Sequence, residues 1–174
     1  SDRVFEEEDN LNPTNYYTET KILAENIVKS SKENLILRMS VLMGKSPNIN
    51  WNLFINSLVK NVKNRKKTEI YNPMDFRPYL NVNDAVDCVL ELLKNNAING
   101  IYNFGFSDMN FNKFQIIQVL KELFSNFDYE IVKDEKNVYS TSPRNYKMNC
   151  NKIRNYFSNK TGLLNTFKQL QNIA

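Results

Sequence analysis

The run NLILRMSVLMG, residues 34–44, narrows the folds open to this chain more than any other stretch. It is densely apolar along its length and ends at a glycine. A strand with two apolar faces must be covered on both, and parallel sheets achieve this with helices. The segment ahead of it supplies such a helix: the pattern starts after Pro13, has Thr14 or Asn15 as N-cap, and runs to about Ser30. Helix followed by strand at this spacing is α/β grammar, so the expected class is α/β. At 174 residues, 41% hydrophobic and 12% aromatic, the chain is long enough to bury a core.

The same reading extends along the chain. A helix is expected over 51–64, with Leu53, Phe54, Leu58 and Val62 at helical spacing. Strands follow at 68–71 and 78–82, interrupted by the turn-like NPMD. Residues 83–96 form a helix capped by Asn83 or Asp84, with Val86, Val89, Leu90 and Leu93 turned inward. A strand at 100–106, a helix at 112–127, a strand at 129–133, a loop through Pro143 and short helices near 150–157 and 163–173 complete the pattern.

Composition removes several chemistries. With no histidine, a Ser-His-Asp triad, a Cys-His pair and a His-ligated zinc are excluded. Cys88 and Cys150 lack metal-ligand spacing and read as reduced structural thiols; no metal site is expected. The net charge of +4 is mild, and KNVKNRKK (60–67) suits a solvated helix C-terminus better than a nucleic-acid patch. The acidic run from Glu6 to Asp9 reads as a solvated loop. No apolar run reaches about eighteen residues and the start carries no signal-peptide pattern, so no membrane association and a cytoplasmic location are expected.

The first helix carries the chemistry. Tyr17, Lys21, Ala24 and Val28 share a stripe, and Lys21 stands four residues after Tyr17, whereas Tyr16 has the same offset to Thr20, which brings no charge. A helical ammonium at that offset stabilises a phenolate and draws a phenol from about 10 toward neutrality, fitting it for general acid or base work. The spacing alone also suits an ordinary exposed helix pair.

Six stretches in order carry a resemblance: SDRVF, NPTNYYTETKILAEN, LILRMSVLMG, FRPYLNVNDAVDCVLELL, GIYNFGFSDMNFNKFQIIQVLKELF and SPRNYKMNCNKIR. In them the chain resembles the extended short-chain dehydrogenase/reductase family of NAD(P)-dependent sugar-nucleotide epimerases, dehydratases and reductases, most closely the dTDP-4-dehydrorhamnose reductase-like branch. The resemblance implies the C-terminal part of an NAD(P)-binding Rossmann-like fold with its active-site helix in residues 1–45. A small α/β substrate-binding domain would occupy most of 46–174, with about 78–100 returning to the Rossmann-like core. It implies Tyr17 as acid/base, Lys21 tuning it and bonding the nicotinamide ribose, and Ser1 orienting the substrate oxygen. Ser40 and Val41 would lie beside the nicotinamide, and Arg77, Tyr79 and Arg144 would bind the nucleotide-sugar substrate. Competing structural readings stand beside these: Ser1 as a chain end, Ser40 and Val41 as a strand end, Arg77 as an ion-pair residue, Arg144 as a loop anchor and Asp84 as a helix cap.

Two departures matter. Thr18 stands where the family usually has glycine, which alters packing without touching the chemistry; Val41 stands where the reductase branch usually has tryptophan, which weakens dTDP-4-dehydrorhamnose as the particular substrate. A dinucleotide also needs a glycine-rich turn so that backbone N–H groups can approach its pyrophosphate. The four glycines, Gly44, Gly100, Gly105 and Gly162, are dispersed. The chain is therefore expected to be the C-terminal half of a larger enzyme using NAD or NADP, with a homodimer or a complementing N-terminal half as partner. Epimerisation or dehydration is the alternative within the family. A non-catalytic regulatory subunit resembling the methionine adenosyltransferase beta subunit is the alternative from another class.

Overall fold

The computed structural model describes residues 3–94, 98–132 and 145–172. In chain order the elements are β1 (Val4–Phe5), α1 (Tyr16–Lys29), β2 (Leu35–Met39), β3 (Val41–Met43), α2 (Phe54–Lys63), β4 (Thr68–Tyr71), β5 (Phe76–Asn81), α3 (Val82–Lys94), β6 (Gly100–Phe104), β7 (Asn110–Asn112), α4 (Lys113–Leu123), β8 (Tyr129–Val132), β9 (Lys147–Met148), a 3-10 helix at Asn151–Tyr156, and α5 (Leu163–Gln171). Among the described residues four small sheets result: β2 with β6, β4 with β8 and β1 with β9, all parallel, and β3-β5-β7, in which β5 runs parallel to β3 and antiparallel to β7. The α/β class expected from the sequence is the one observed. Among the described residues no helix is long and apolar enough to cross a membrane.

The apolar run 34–44 is not one strand but two. Leu35 to Met39 pair with Gly100 to Phe104, the Ser40 N–H still donates to the Phe104 carbonyl at 3.1 Å, and from Val41 onward the chain pairs with Tyr79 to Asn81 instead. Gly44 ends the run at φ +111°, in a left-handed conformation that glycine adopts without steric cost. Its N–H donates to Asn56 Oδ1 at 3.2 Å. A single apolar stretch thus feeds two sheets, and Leu58, Ile70, Leu80, Phe104, Ile116, Phe167 and their neighbours close one core against both.

Helix α3 corrects the sequence reading in two ways. Its inward residues are Ala85, Cys88 and Leu92, with Val89 half-buried against the core as expected, while Val86, Leu90 and Leu93 are more than half exposed. Apolar residues surround this helix so widely that spacing alone selects no face. Asp84 lies inside the first turn rather than at the cap, and its carboxylate accepts hydrogen bonds from the Thr161 backbone N–H and from Thr161 Oγ1, the latter at 2.7 Å. Just before it, Asn81 donates to Thr166 Oγ1 at 2.9 Å and to Gln169 Oε1 at 3.0 Å. These bonds tie β5 to α5 and α3 to the segment entering α5, and α5 itself packs on α2 and α4.

Candidate active site

Helix α1 begins where the sequence places it, and its first turn is built with care. Asn15 Oδ1 accepts from the Thr18 N–H at 3.0 Å, and Thr18 Oγ1 accepts in return from the Asn15 N–H at 3.2 Å and the Thr14 N–H at 3.1 Å. This reciprocal box satisfies donors that a helix N-terminus leaves open. Thr18, the departure from the family pattern, is therefore a capping residue. The turn it fixes carries Tyr17, whose side chain is open to solvent, with the Lys21 ammonium 5.4 Å from the ring centroid.

The same helix is turned inside out relative to an ordinary amphipathic one. Glu25 is its buried residue, whereas Leu23 and Ile27 are 62% and 72% exposed. Arg38, standing in β2, meets Glu25 as a fork: Nε donates to Oε2 at 3.1 Å and Nη2 to Oε1 at 2.8 Å. Lys29 adds a second cation 2.8 Å from Glu25 Oε1. The third arm of Arg38, Nη1, donates to the Glu7 carbonyl at 2.9 Å, and the Glu7 carboxylate accepts from the Asn103 N–H of β6 at 2.8 Å. The Arg38 hydrogen bond, joined by Lys29, holds the Glu25 carboxyl below its ordinary range despite burial. Glu7 corrects the reading of the 6–9 run as a solvated loop, because it is 9% exposed and bonded to the sheet. An arginine inside the apolar string LILRM was the available signal, since a charge in such a place requires a partner.

The remaining expected residues fall in different places. Ser40 is 3% exposed and its Oγ has no hydrogen-bond partner among the described residues; Val41 beside it is half-buried at the switch between β2 and β3. Arg77 is half-buried on β5, its guanidinium carbon 5.0 Å from the Tyr146 ring centroid. Tyr79 is only 3% exposed, and burial pushes its phenol up to about 12, so its ring belongs to the core in this structure rather than to an open substrate surface. Tyr146, absent from the sequence reading, pairs Arg77 with Phe5 through an edge-on ring contact at 6.4 Å. Ser1 and Arg144 lie outside the described residues. Two grooves of about 660 and 580 Å³ open beside Arg38 and beside Asp84, and Tyr17 lines neither.

The family model described as RmlD substrate binding domain matches residues 1–168. No curated protein matches the sequence. Among solved structures the chain is similar to ADP-L-glycero-D-manno-heptose-6-epimerase of Helicobacter pylori, at 18% identity and a TM-score of 0.79, over 99% of this chain and 56% of that one. It is similar to dTDP-glucose 4,6-dehydratase of Bacillus anthracis, solved with NAD, at 23% identity and a TM-score of 0.77, over 96% and 55%. A third likeness is to RMD of Pseudomonas aeruginosa, solved with NADPH, at 18% identity and a TM-score of 0.77, over 95% and 58%. Identities this low speak for a shared fold alone. The chain spans a little over half the length of these structures.

Proposed function

Because the chain belongs to the RmlD substrate binding domain family, we propose that it is part of an NAD(P)-dependent enzyme acting on nucleotide sugars. Within that class the reading preferred is a dTDP-4-dehydrorhamnose reductase-like reduction, with 4-epimerisation or dehydration as the alternative. One observation carries the proposal: a capped first turn presents Tyr17 outward with the Lys21 ammonium 5.4 Å from its ring. In this arrangement the Tyr17 hydroxyl donates its proton to a sugar ketone oxygen, or takes one from a sugar hydroxyl, while Lys21 steadies the oxygen that changes charge. Arg77 supplies a planar set of donors suited to the substrate's diphosphate.

The residues present suit one end of a nicotinamide dinucleotide. Tyr17 and Lys21 are open and adjacent, as the ribose end requires, whereas the dispersed glycines offer no cradle for the pyrophosphate within this chain. When bound, the dinucleotide supplies or accepts the hydride. The division into an active-site segment at 1–45 and a substrate-binding segment over most of 46–174, assembled as a homodimer or with a complementing half, belongs to the same proposal.

The test follows NAD(P)H oxidation with dTDP- and UDP-4-keto sugars in residues 1–174 joined to a dinucleotide-binding half, giving the joined polypeptide. Turnover that falls at least about 100-fold in Tyr17→Phe is the expected result, in line with the usual worth of a positioned acid. Full activity in that variant removes Tyr17 from the mechanism. Absence of turnover on every nucleotide sugar, with tight binding to another protein, favours the regulatory reading, for which the dispersed glycines speak.

A further inference from the structure

We propose that Arg38 is the positioning residue for the Tyr17–Lys21 pair, fixing the rotation of α1 on β2 through Glu25 and through the carbonyl of Glu7. The inference rests on the function proposed above for Tyr17 and adds a residue to it.

A helix is ordinarily held at one rotation angle by an apolar stripe sunk into the core. On the side that α1 turns to β2 the buried residue is Glu25, and Leu23 and Ile27 lie on the side turned away from this sheet. Against β2 the helix is held by a two-point grip. The Arg38 guanidinium is planar and engages both Glu25 oxygens, at 3.1 and 2.8 Å, so it resists turning as well as lifting. The pair is removed from water, with side-chain exposures of 18% for Arg38 and 8% for Glu25. Glu25 lies eight residues beyond Tyr17, about 80° further round the helix, so a grip on buried Glu25 sets the direction in which exposed Tyr17 and Lys21 point.

The third arm of Arg38 makes the grip directional. By donating to the Glu7 carbonyl it ties the segment entering α1 to the same strand, and the Glu7 carboxylate fastens that segment to β6 through the Asn103 N–H. Arg38 thus holds the helix and the chain that leads into it against one sheet. Lys29, 2.8 Å from Glu25 and 40% exposed, is placed to share the carboxylate charge but not to replace the fork. The leverage is large. A turn of about 10° moves an atom about 6 Å from the helix axis by about 1 Å, and a displacement of that size costs about 100-fold in rate.

The test compares Arg38→Met, Arg38→Lys and Glu25→Gln by two readouts. In the joined polypeptide, Arg38→Met is expected to lower kcat by about 100-fold with KM for the nucleotide sugar unchanged, and Arg38→Lys to recover part of that loss. In residues 1–174, amides of α1 are expected to exchange hydrogen at least about tenfold faster in Arg38→Met while amides of β5 and α4 keep their rates. Glu25→Gln gives the same local pattern more weakly and serves if Arg38→Met does not fold. Exchange in α1 that is unaltered, or that rises equally throughout the chain, overturns the proposal. So does an unchanged kcat where Tyr17→Phe is inactive. If instead Tyr17→Phe is fully active, the functional reading fails, and the exchange data still decide whether Arg38 orients α1.

Discussion

Ser40 and Gly105 meet without room for another atom: a Cβ on residue 105 would lie 2.3 Å from Ser40 Oγ and 3.6 Å from Cys150 Sγ. Gly105→Ala is therefore expected to destabilise the fold by about 1–3 kcal/mol, the usual cost of overpacking a core. Because Ser40 Oγ is buried without a hydrogen-bond partner among the described residues, Ser40→Ala alone costs little. In the Gly105→Ala background it recovers part of the loss. Urea midpoints of the four chains give the coupling directly, and additive effects would contradict the contact.

Asp84 fixes the approach to α5 by accepting two bonds from Thr161 while only 3% exposed. Asp84→Ala is expected to cost about 2–4 kcal/mol, since charge-assisted bonds are lost and the Thr161 donors are left unsatisfied. Proteolysis beginning near residue 161 in the variant, and not in the parent, would locate the damage at this joint.

Acid should reach the fold through Glu25. Its carboxyl is held below the ordinary value of 4.5, first by the Arg38 hydrogen bond and then by Lys29. The unfolded chain therefore takes up its proton first as pH falls, so the stabilisation is present above about 4.5 and is lost as pH drops through the lower folded value. Glu25→Gln, about 1–3 kcal/mol less stable at pH 7, should approach the parent by pH 3. Unfolding midpoints at pH 7, 5 and 3 measure this, and a constant gap would speak against the mechanism.

Both thiols should be silent in the folded chain. Burial first, with a lesser push from Glu91 on Cys88 and Glu7 on Cys150, raises each to about 12. At pH 8 only about one thiol in ten thousand is then ionised, and the thiolate is the reactive form. Iodoacetamide is expected to label neither cysteine until denaturant is added. Prompt labelling of Cys88 in native conditions would mean that α3 opens readily.

Much of this was legible in the residues. Helix α1 was placed by Pro13 with Thr14 or Asn15 as its cap, of which Asn15 is the cap observed, and the strand expected at 68–71 is β4, because local rules and the final fold agree there. The face of α3 was read rightly at Val89 but wrongly at the rest, since Val86, Leu90 and Leu93 recur at helical spacing as regularly as Ala85, Cys88 and Leu92 do, and only the neighbouring elements decide which set is covered. Strand β9 was missed, and β1 was read as a strand end only through the family resemblance of SDRVF, for a related reason. Each is two residues long, and their pairing joins positions far apart in sequence that no local pattern connects. At the site, the spacing of Tyr17 and Lys21 was visible, but the Arg38 fork that seats their helix arises from a contact between strand and helix that no spacing encodes.

The change of neighbours at Ser40 has a consequence for how this chain tolerates change. Residues 35–43 are one continuous reading frame for two sheets, Leu35 to Met39 counted against Gly100 to Phe104 and Val41 to Met43 against Tyr79 to Asn81. Side chains alternate faces along a strand, so gaining or losing one residue at the joint would swap inside for outside in whichever sheet failed to keep its count. The segment can accept a different letter far more readily than a different length.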